Sequence, residues 1–306
     1  MIYINKEGLT EKYMQMIKEA YPNIITEDIN AFEEIEGILT YTYFVKRENL
    51  EKYPHLRWIQ LYSAGFDGVD FAYLQERGIT LSNAKDIYAA TIAEDIMARI
   101  LAINRNVFKY YDLQKQKKWQ TLKSEYELTS STIGIIGAGS IGQELARRLA
   151  NFNVKIIGYR RRLEIPKYFD AVYNTEQGLD ELCMHSDYII LTIPLNKETE
   201  GLIDLRRLKM MKKSTVLINV SRGMLIKQDD LIYALEQKMI RAASLDVMTP
   251  EPLPANSKLW ELENVYITPH NALSSPYLLL RLTSFLIENI KNFINKEKIQ
   301  NIVREK

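Results

Sequence analysis

One stretch, STIGIIGAGSIGQELARRLANF at residues 131–152, constrains this chain more than any other. Four of the 13 glycines fall within residues 134–142, and the turn reads Gly137-Ala138-Gly139-Ser140-Ile141-Gly142. An apolar strand predicted over 133–136 precedes it, and a helix predicted over 143–151 follows. In such a turn the first glycine permits the tight bend, the second lets a pyrophosphate approach the backbone, and the third lets the helix sit close to the strand. The helix N-terminus then offers unpaired N–H groups and a partial positive charge to phosphates. Strand, turn, helix and second strand all occur in order, which is the context a dinucleotide site requires. The second strand, VKIIGY, ends at Tyr159. About twenty residues past such a turn, NAD sites carry an acid for the ribose diol. Here the sequence is Arg160-Arg161-Arg162, with Arg160 lying 18 residues after Gly142. A guanidinium pairs with a 2′-phosphate instead. The turn therefore predicts NADP(H) as the preferred cofactor, through Arg160 and Arg161, with NAD(H) as the alternative.

The rest of the chain repeats the same rhythm. MIYI, EIEGILTY and RWIQLY read as buried strands, with LTEKYMQMIKEAY and VDFAYLQERG as helices between or after them. A helical pattern over 87–106 places Ile92, Ile96, Ile100 and Leu101 on one face and continues loosely to Trp119. VKIIGY, DYIILTI, STVLINV, AASLDV and NVYITPH then follow the glycine turn's own strand, six apolar strands in all. Strands alternating with helices imply parallel sheets covered on both faces. After His270, Ser274-Ser275-Pro276 predicts a final helix to about Asn295, with serine as cap and proline in the first turn. This last helix is expected to return to the first domain. The predicted fold is α/β, with two Rossmann-like domains: a discontinuous substrate domain of residues 1–98 plus 275–306, and an inserted dinucleotide-binding domain of residues 99–274.

Composition narrows the function classes. The 306 residues carry 40 Lys+Arg against 39 Asp+Glu, a formal charge of +1, too near neutral for a general nucleic-acid binder. MIYINKEGLT lacks the pattern of a secretory signal, and no apolar run reaches the length of a membrane span. Cys183 is the single cysteine, so no internal disulfide or cysteine-based zinc site is expected, and a cytoplasmic setting fits.

In an open parallel sheet, chemistry gathers beyond the carboxyl ends of the strands. There the sequence places Pro194 after DYIILTI and Ser221-Arg222-Gly223 after STVLINV. Asp246 stands near the end of AASLDV, with Pro250-Glu251-Pro252 beyond it, and Pro269-His270 follows NVYIT. An arginine, a glutamate and a histidine on one edge are the groups needed to reduce a carbonyl beside a carboxylate. His270, as imidazolium, can protonate the oxygen on which negative charge grows. Glu251 can orient that ring and keep it charged. Arg222 offers a planar fork to a carboxylate and a positive field. His55 and His185, the other two histidines, lie in polar surroundings away from this edge.

Several segments in order carry a family resemblance: SAGFDGVD, the IAED of the long helix, IGIIGAGSIGQELARRL, LTIPLNKETEGLI, INVSRGMLI, LDVMTPEPLP and ITPHNALSS. From about residue 57 onward the chain resembles the D-isomer-specific 2-hydroxyacid dehydrogenases, and by its Arg160 the NADPH-using glyoxylate/hydroxypyruvate reductases among them. The resemblance implies that Arg222, Glu251 and His270 are catalytic, and that N–H groups of Ala64 and Gly65 bind the substrate carboxylate. It further implies that Ser140 and Ile141 follow the pyrophosphate, Pro194 and Thr199 the adenosine half, and Val220 and Ser221 the rest of the cofactor, with Asp246 at the nicotinamide carboxamide. A homodimer formed through the cofactor domain is implied as well. The expected reaction is hydride transfer from NADPH to a small 2-keto acid (glyoxylate, hydroxypyruvate or a pyruvate-like acid) giving the D-2-hydroxy acid. An NAD-linked D-2-hydroxyacid dehydrogenase and a dinucleotide-sensing corepressor-like protein are the alternatives. Tyr41, Tyr43 and Phe44 either line the substrate pocket or belong to the core.

Overall fold

A computed structural model of the chain describes residues 1–123 and 125–304. The chain divides into two compact units, residues 1–88 with 275–304 and residues 89–274, each built on its own parallel sheet.

The first unit holds strands β1 (Ile2–Ile4), β2 (Ile25–Thr26), β3 (Gly37–Thr40), β4 (Trp58–Leu61) and β5 (Thr80–Ser82), in the order β2-β1-β3-β4-β5. Every pairing in it is parallel. Helices α1 (Glu11–Ala20), α2 (Arg47–Leu50) and α3 (Phe71–Glu76) connect these strands. Asp70 caps α3, its Oδ1 accepting from the Tyr73 N–H at 3.0 Å, which satisfies one of the helix's orphan donors. β1, β3 and β4 are buried throughout, as a sheet covered on both faces requires.

The second unit begins with α4 (Ala89–Asn104) and α5 (Val107–Lys115). Its sheet comprises β6 (Thr132–Ile136), β7 (Lys155–Tyr159), β8 (Ala171–Tyr173), β9 (Tyr188–Leu191), β10 (Val216–Asn219), β11 (Ala242–Leu245) and β12 (Val265–Ile267). The strand order is β12-β11-β10-β9-β6-β7-β8, all parallel. Helices α6 (Ser140–Leu149), α7 (Glu176–His185), α8 (Leu205–Met210) and α9 (Gln228–Glu236) are interleaved with the strands. Thr175 and Asp204 cap α7 and α8 through their side-chain oxygens. The last helix, α10 (Leu278–Ile294), belongs to the first unit. Its Phe293 ring stacks on Trp58 with centroids 4.9 Å apart, and its Asn289 donates to Gln60 at 2.8 Å.

Several local expectations change. The division between units falls at residue 89, not near 98. The reason is that α4 packs along α6 and, with Ala93 and Ile96 fully buried on its inner face, belongs wholly to the second unit. Leu101 lies off that face and is 37% exposed. The helical pattern does not run on to Trp119: Asn106 takes a left-handed conformation (φ +50°) that separates α4 from α5. α10 starts later than its serine–proline signal suggests, because Ser275 is spent on a turn, its carbonyl accepting from Leu278 N–H and its Oγ from Tyr277 N–H. Strands β2, β5 and β8 have no counterpart in the periodicity reading.

The glycine turn explains its own composition. Gly137 has φ +117°, and a Cβ there would meet the Thr192 backbone at 2.7 Å. A Cβ on Gly142 would stand 2.3 Å from the Gly137 carbonyl oxygen. A Cβ on Gly139 would meet nothing within 4 Å. Gly142→Ala is therefore expected to cost about 1–3 kcal/mol. In thermal denaturation this reads as a fall in midpoint of roughly 2–10 °C. Gly139→Ala, the control, should leave the midpoint within about 2 °C.

Candidate active site

The order of strands in the second sheet reverses between β6 and β9, and the carboxyl ends there form the crevice in which open α/β sheets bind ligands. The glycine turn fills this position. Its N–H groups at Gly137 and Ala138 donate to the Tyr159 carbonyl at 2.9 and 3.3 Å, so the end of β7 is tied to the turn. Arg160, the next residue, is thereby held beside it, and its own N–H donates to the Tyr173 carbonyl at 2.9 Å. Gly139 precedes the first turn of α6, where the N–H groups of Ser140 and Ile141 have no intrahelical acceptor. With open space where a Gly139 side chain would stand, this cradle fits a pyrophosphate. Arg161 leans outward to Glu198, 3.3 Å away at the surface.

The loops after β9, β10, β11 and β12 line the same edge. After β9, Thr199 Oγ1 donates to the Pro194 carbonyl at 2.9 Å and accepts from the Asn196 N–H at 2.8 Å, which closes the 194–199 turn. After β10, Val220 is buried and the Ser221 hydroxyl donates to the Ile193 carbonyl, joining the two loops. Asn219 braces the segment that carries Arg222: its Oδ1 accepts from Ser221 N–H at 3.1 Å, and its Nδ2 donates to the Arg222 carbonyl at 2.9 Å. The Arg222 guanidinium reaches the Ser221 carbonyl at 2.7 Å. Gly223 has no room for a side chain, since a Cβ would stand 2.2 Å from the Met248 carbonyl oxygen. The absence of that one carbon lets the Arg222 loop lie against the loop that leads to Glu251.

Glu251 and His270 meet directly. The Glu251 Oε2 lies 2.8 Å from His270 Nδ1, and its Oε1 accepts from the Met248 N–H at 3.1 Å. With Nδ1 so engaged, Nε2 on the far side of the ring is the atom presented outward. The two side chains are 42% and 36% exposed, open to a substrate and to water. His270 itself has φ +52°, an uncommon conformation for a residue with a side chain, and its N–H donates to the Asp246 carbonyl at 2.8 Å.

Asp246, expected at the nicotinamide carboxamide, is only 1% exposed. Its Oδ2 accepts from Ala272 N–H at 2.9 Å, and its Oδ1 from Asn271 N–H at 3.0 Å, from Thr268 and from Arg99. Asp246 thus stands under the His270 loop as its support. Ala64 and Gly65 lie in the first unit, in the loop after β4. Their carbonyls accept from Asn83 Nδ2 at 2.7 Å and Ser63 Oγ at 2.8 Å, which fixes both peptide planes. Tyr41 packs edge-on against Tyr62, Phe44 is buried, and Tyr43 hydrogen-bonds Asn5 at 2.8 Å. His185 pairs with Glu181 on α7, and His55 lies near Glu33; neither joins the His270 edge. Burial pushes the Cys183 thiol up to about 12, so it is no nucleophile at neutral pH.

Sequence reading missed Asn219, Thr268 and Arg99. The first two carry no pattern of their own. Arg99 does: it falls at helical spacing among Ile92, Ile96, Ile100 and Ile103, a charge within an apolar stripe.

Residues 97–272 match the family described as D-isomer specific 2-hydroxyacid dehydrogenase, NAD binding domain. A glyoxylate reductase of Pyrococcus horikoshii is 34% identical over 249 residues, covering 78% of this chain and 73% of its own. A glyoxylate/hydroxypyruvate reductase B of an Enterobacter species is 32% identical over 294 residues, covering 94% and 90%. Among solved structures, an acyclic imino acid reductase in complex with NADPH and D-Arg superimposes with a TM-score of 0.86 at 27% identity, covering 99% of this chain and all of its own. The strand order, the glycine turn and these likenesses agree, and the chain belongs to the D-isomer-specific 2-hydroxyacid dehydrogenases, a family of nicotinamide-dinucleotide-dependent oxidoreductases.

Proposed function

We propose that this protein is an NADPH-dependent reductase of small 2-keto acids, glyoxylate and hydroxypyruvate first, giving the D-2-hydroxy acid. The observation that carries the reading is the Glu251–His270 pair, at 2.8 Å, on the sheet edge that also bears the glycine cradle and Arg222. The glyoxylate-reducing relatives support the substrate class.

NADPH, when bound, supplies the hydride. This chain's own residues do the rest. His270 donates a proton from Nε2 to the ketone oxygen as that oxygen gains charge. Glu251 holds the ring by Nδ1 and sets its orientation. The partly exposed ring then regains its proton from water. Arg222 lends its planar cation to the substrate carboxylate and to the oxygen that becomes an alkoxide. The N–H groups of Ala64 and Gly65, in peptide planes fixed by the Ala84 N–H on the Ser63 carbonyl and by Asn83 on the Ala64 carbonyl, bind that carboxylate.

Arg160, held beside the turn by the Tyr159 contacts, supports a 2′-phosphate partner, with Arg161 adjoining. The imino acid reductase of like fold carries NADPH. The same reading includes Pro194, Thr199, Val220 and Ser221 along the cofactor, with Asp246 under its nicotinamide end. It includes a homodimer through the second unit, supported by the exposed Val107, Phe108, Tyr111 and Trp119. A cytoplasmic setting is supported by the unpaired Cys183. No helix among the described residues is long and apolar enough to cross a membrane.

Steady-state assay of glyoxylate reduction tests the roles. His270→Ala should lower kcat by about 10²–10⁴-fold while NADPH still binds. Arg222→Ala should act mainly on kcat/KM, and near-native kcat/KM in either variant would refute its assigned role. For the cofactor, native kcat/KM should favour NADPH over NADH. Arg160→Ala should cost roughly 10–100-fold with NADPH, the worth of one charge-assisted hydrogen bond, and little with NADH. A native preference for NADH would overturn the NADPH assignment.

A further inference from the structure

Arg99 is a charged side chain on the buried face of α4, with only 9% of its side chain exposed. Nothing in the chemistry above uses it, yet three of its nitrogens are committed. Nε donates to Asp95 one turn earlier in the helix. Nη1 donates to Ser244 Oγ in β11 at 3.1 Å. Nη2 donates to Thr268 Oγ1 at 2.6 Å and to Asp246 Oδ1 at 3.2 Å. The guanidinium therefore joins the helix, strand β11 and the end of β12 at one point.

What lies beyond that point is the His270 loop. Asp246 accepts three successive N–H groups from it: His270 on its carbonyl, Asn271 on Oδ1 and Ala272 on Oδ2. Those bonds hold His270 in its left-handed conformation, from which the ring reaches Glu251. Burying a carboxylate this deeply is costly unless a cation is paired with it. Arg99 is that cation. Were the carboxylate displaced, the Asn271 and Ala272 N–H groups that flank His270 would lose their anchor.

We propose that Arg99 is a positioning residue for the proton donor: through Asp246 it sets the backbone that aims His270. The inference rests on the reading of His270 given above. It differs from a packing role, because its effect must pass through the histidine.

A double-mutant cycle separates these possibilities. Arg99→Leu, which removes the donors from the apolar stripe, is measured in the native and His270→Ala backgrounds, with glyoxylate at saturating NADPH. In the native background kcat should fall on the order of 10²-fold, as for a misplaced reacting group, with the NADPH dissociation constant little changed. In the His270→Ala background the same substitution should change the residual kcat by no more than about twofold. Arg99→Lys, which keeps a cation beside Asp246, should recover part of the loss. An equal loss in both backgrounds, a near-native kcat for Arg99→Leu, or a loss confined to NADPH binding would overturn the role of Arg99. If Arg99→Leu does not fold, Thr268→Val, which removes the hydroxyl bridge but leaves the direct 3.2 Å contact, enters the same cycle: a smaller loss of kcat is expected in the native background and none in the His270→Ala background, and an equal change in both would overturn the role. A near-native kcat for His270→Ala alone would instead overturn the reading of His270, and the proposal with it.

Discussion

Parallel pairing throughout the second sheet is the constraint from which the site follows. Each strand runs the same way, so each crossover must return along a face of the sheet and each carboxyl end opens on one edge. Four neighbouring strands, β9 to β12, therefore deliver their loops side by side without any long-range device to gather them. What remains is to hold those loops at a chosen height and angle. Here that is done by small contacts between neighbours: Ser221 to Ile193, Gly223 against Met248, Met248 to Glu251, and Asp246 to the 270–272 backbone.

The edge is layered by exposure. Glu251 and His270 stand partly open, where a substrate can reach them and a spent proton can be replaced. Directly beneath, Asp246 and Arg99 are almost closed to water, where charge–charge contacts are less screened and geometry is stiffer. An ion pair in such a place contributes little net stability, because desolvation offsets its attraction. Its value lies in direction. The arrangement resembles a hinge pin more than a mainstay, and it leaves the upper pair free to exchange protons.

Much of this is legible in the amino-acid sequence. The glycine turn was readable because only glycine meets its demands, a positive φ at 137 and a backbone approach at 142. The central strands were readable because strands buried on both faces become continuous apolar runs. Arg222, Glu251 and His270 were readable as the polar residues just beyond such runs. The strands that escaped notice, β2, β5 and β8, are all sheet edges of two or three residues, too short to show a period. Leu101 was assigned to the wrong face because 3.6-residue periodicity blurs at the stripe's margin. That the Asp246 carboxylate also accepts the backbone of the 271–272 loop is not legible, since a residue number says nothing of which way a loop folds back. Arg99 was visible all along as a cation in an apolar stripe, but its partners lie more than a hundred residues away in the chain.

The central claim is that the histidine ring held by Glu251 presents its free nitrogen to the reacting oxygen. A crystal structure of the protein with NADPH and oxamate, an unreactive mimic of a 2-keto acid, addresses it most directly. The oxamate oxygen is expected within about 3 Å of His270 Nε2, with Glu251 still on Nδ1 and the mimic's carboxylate on Arg222. Oxamate bound with its oxygen turned away from His270, toward another donor, would contradict it.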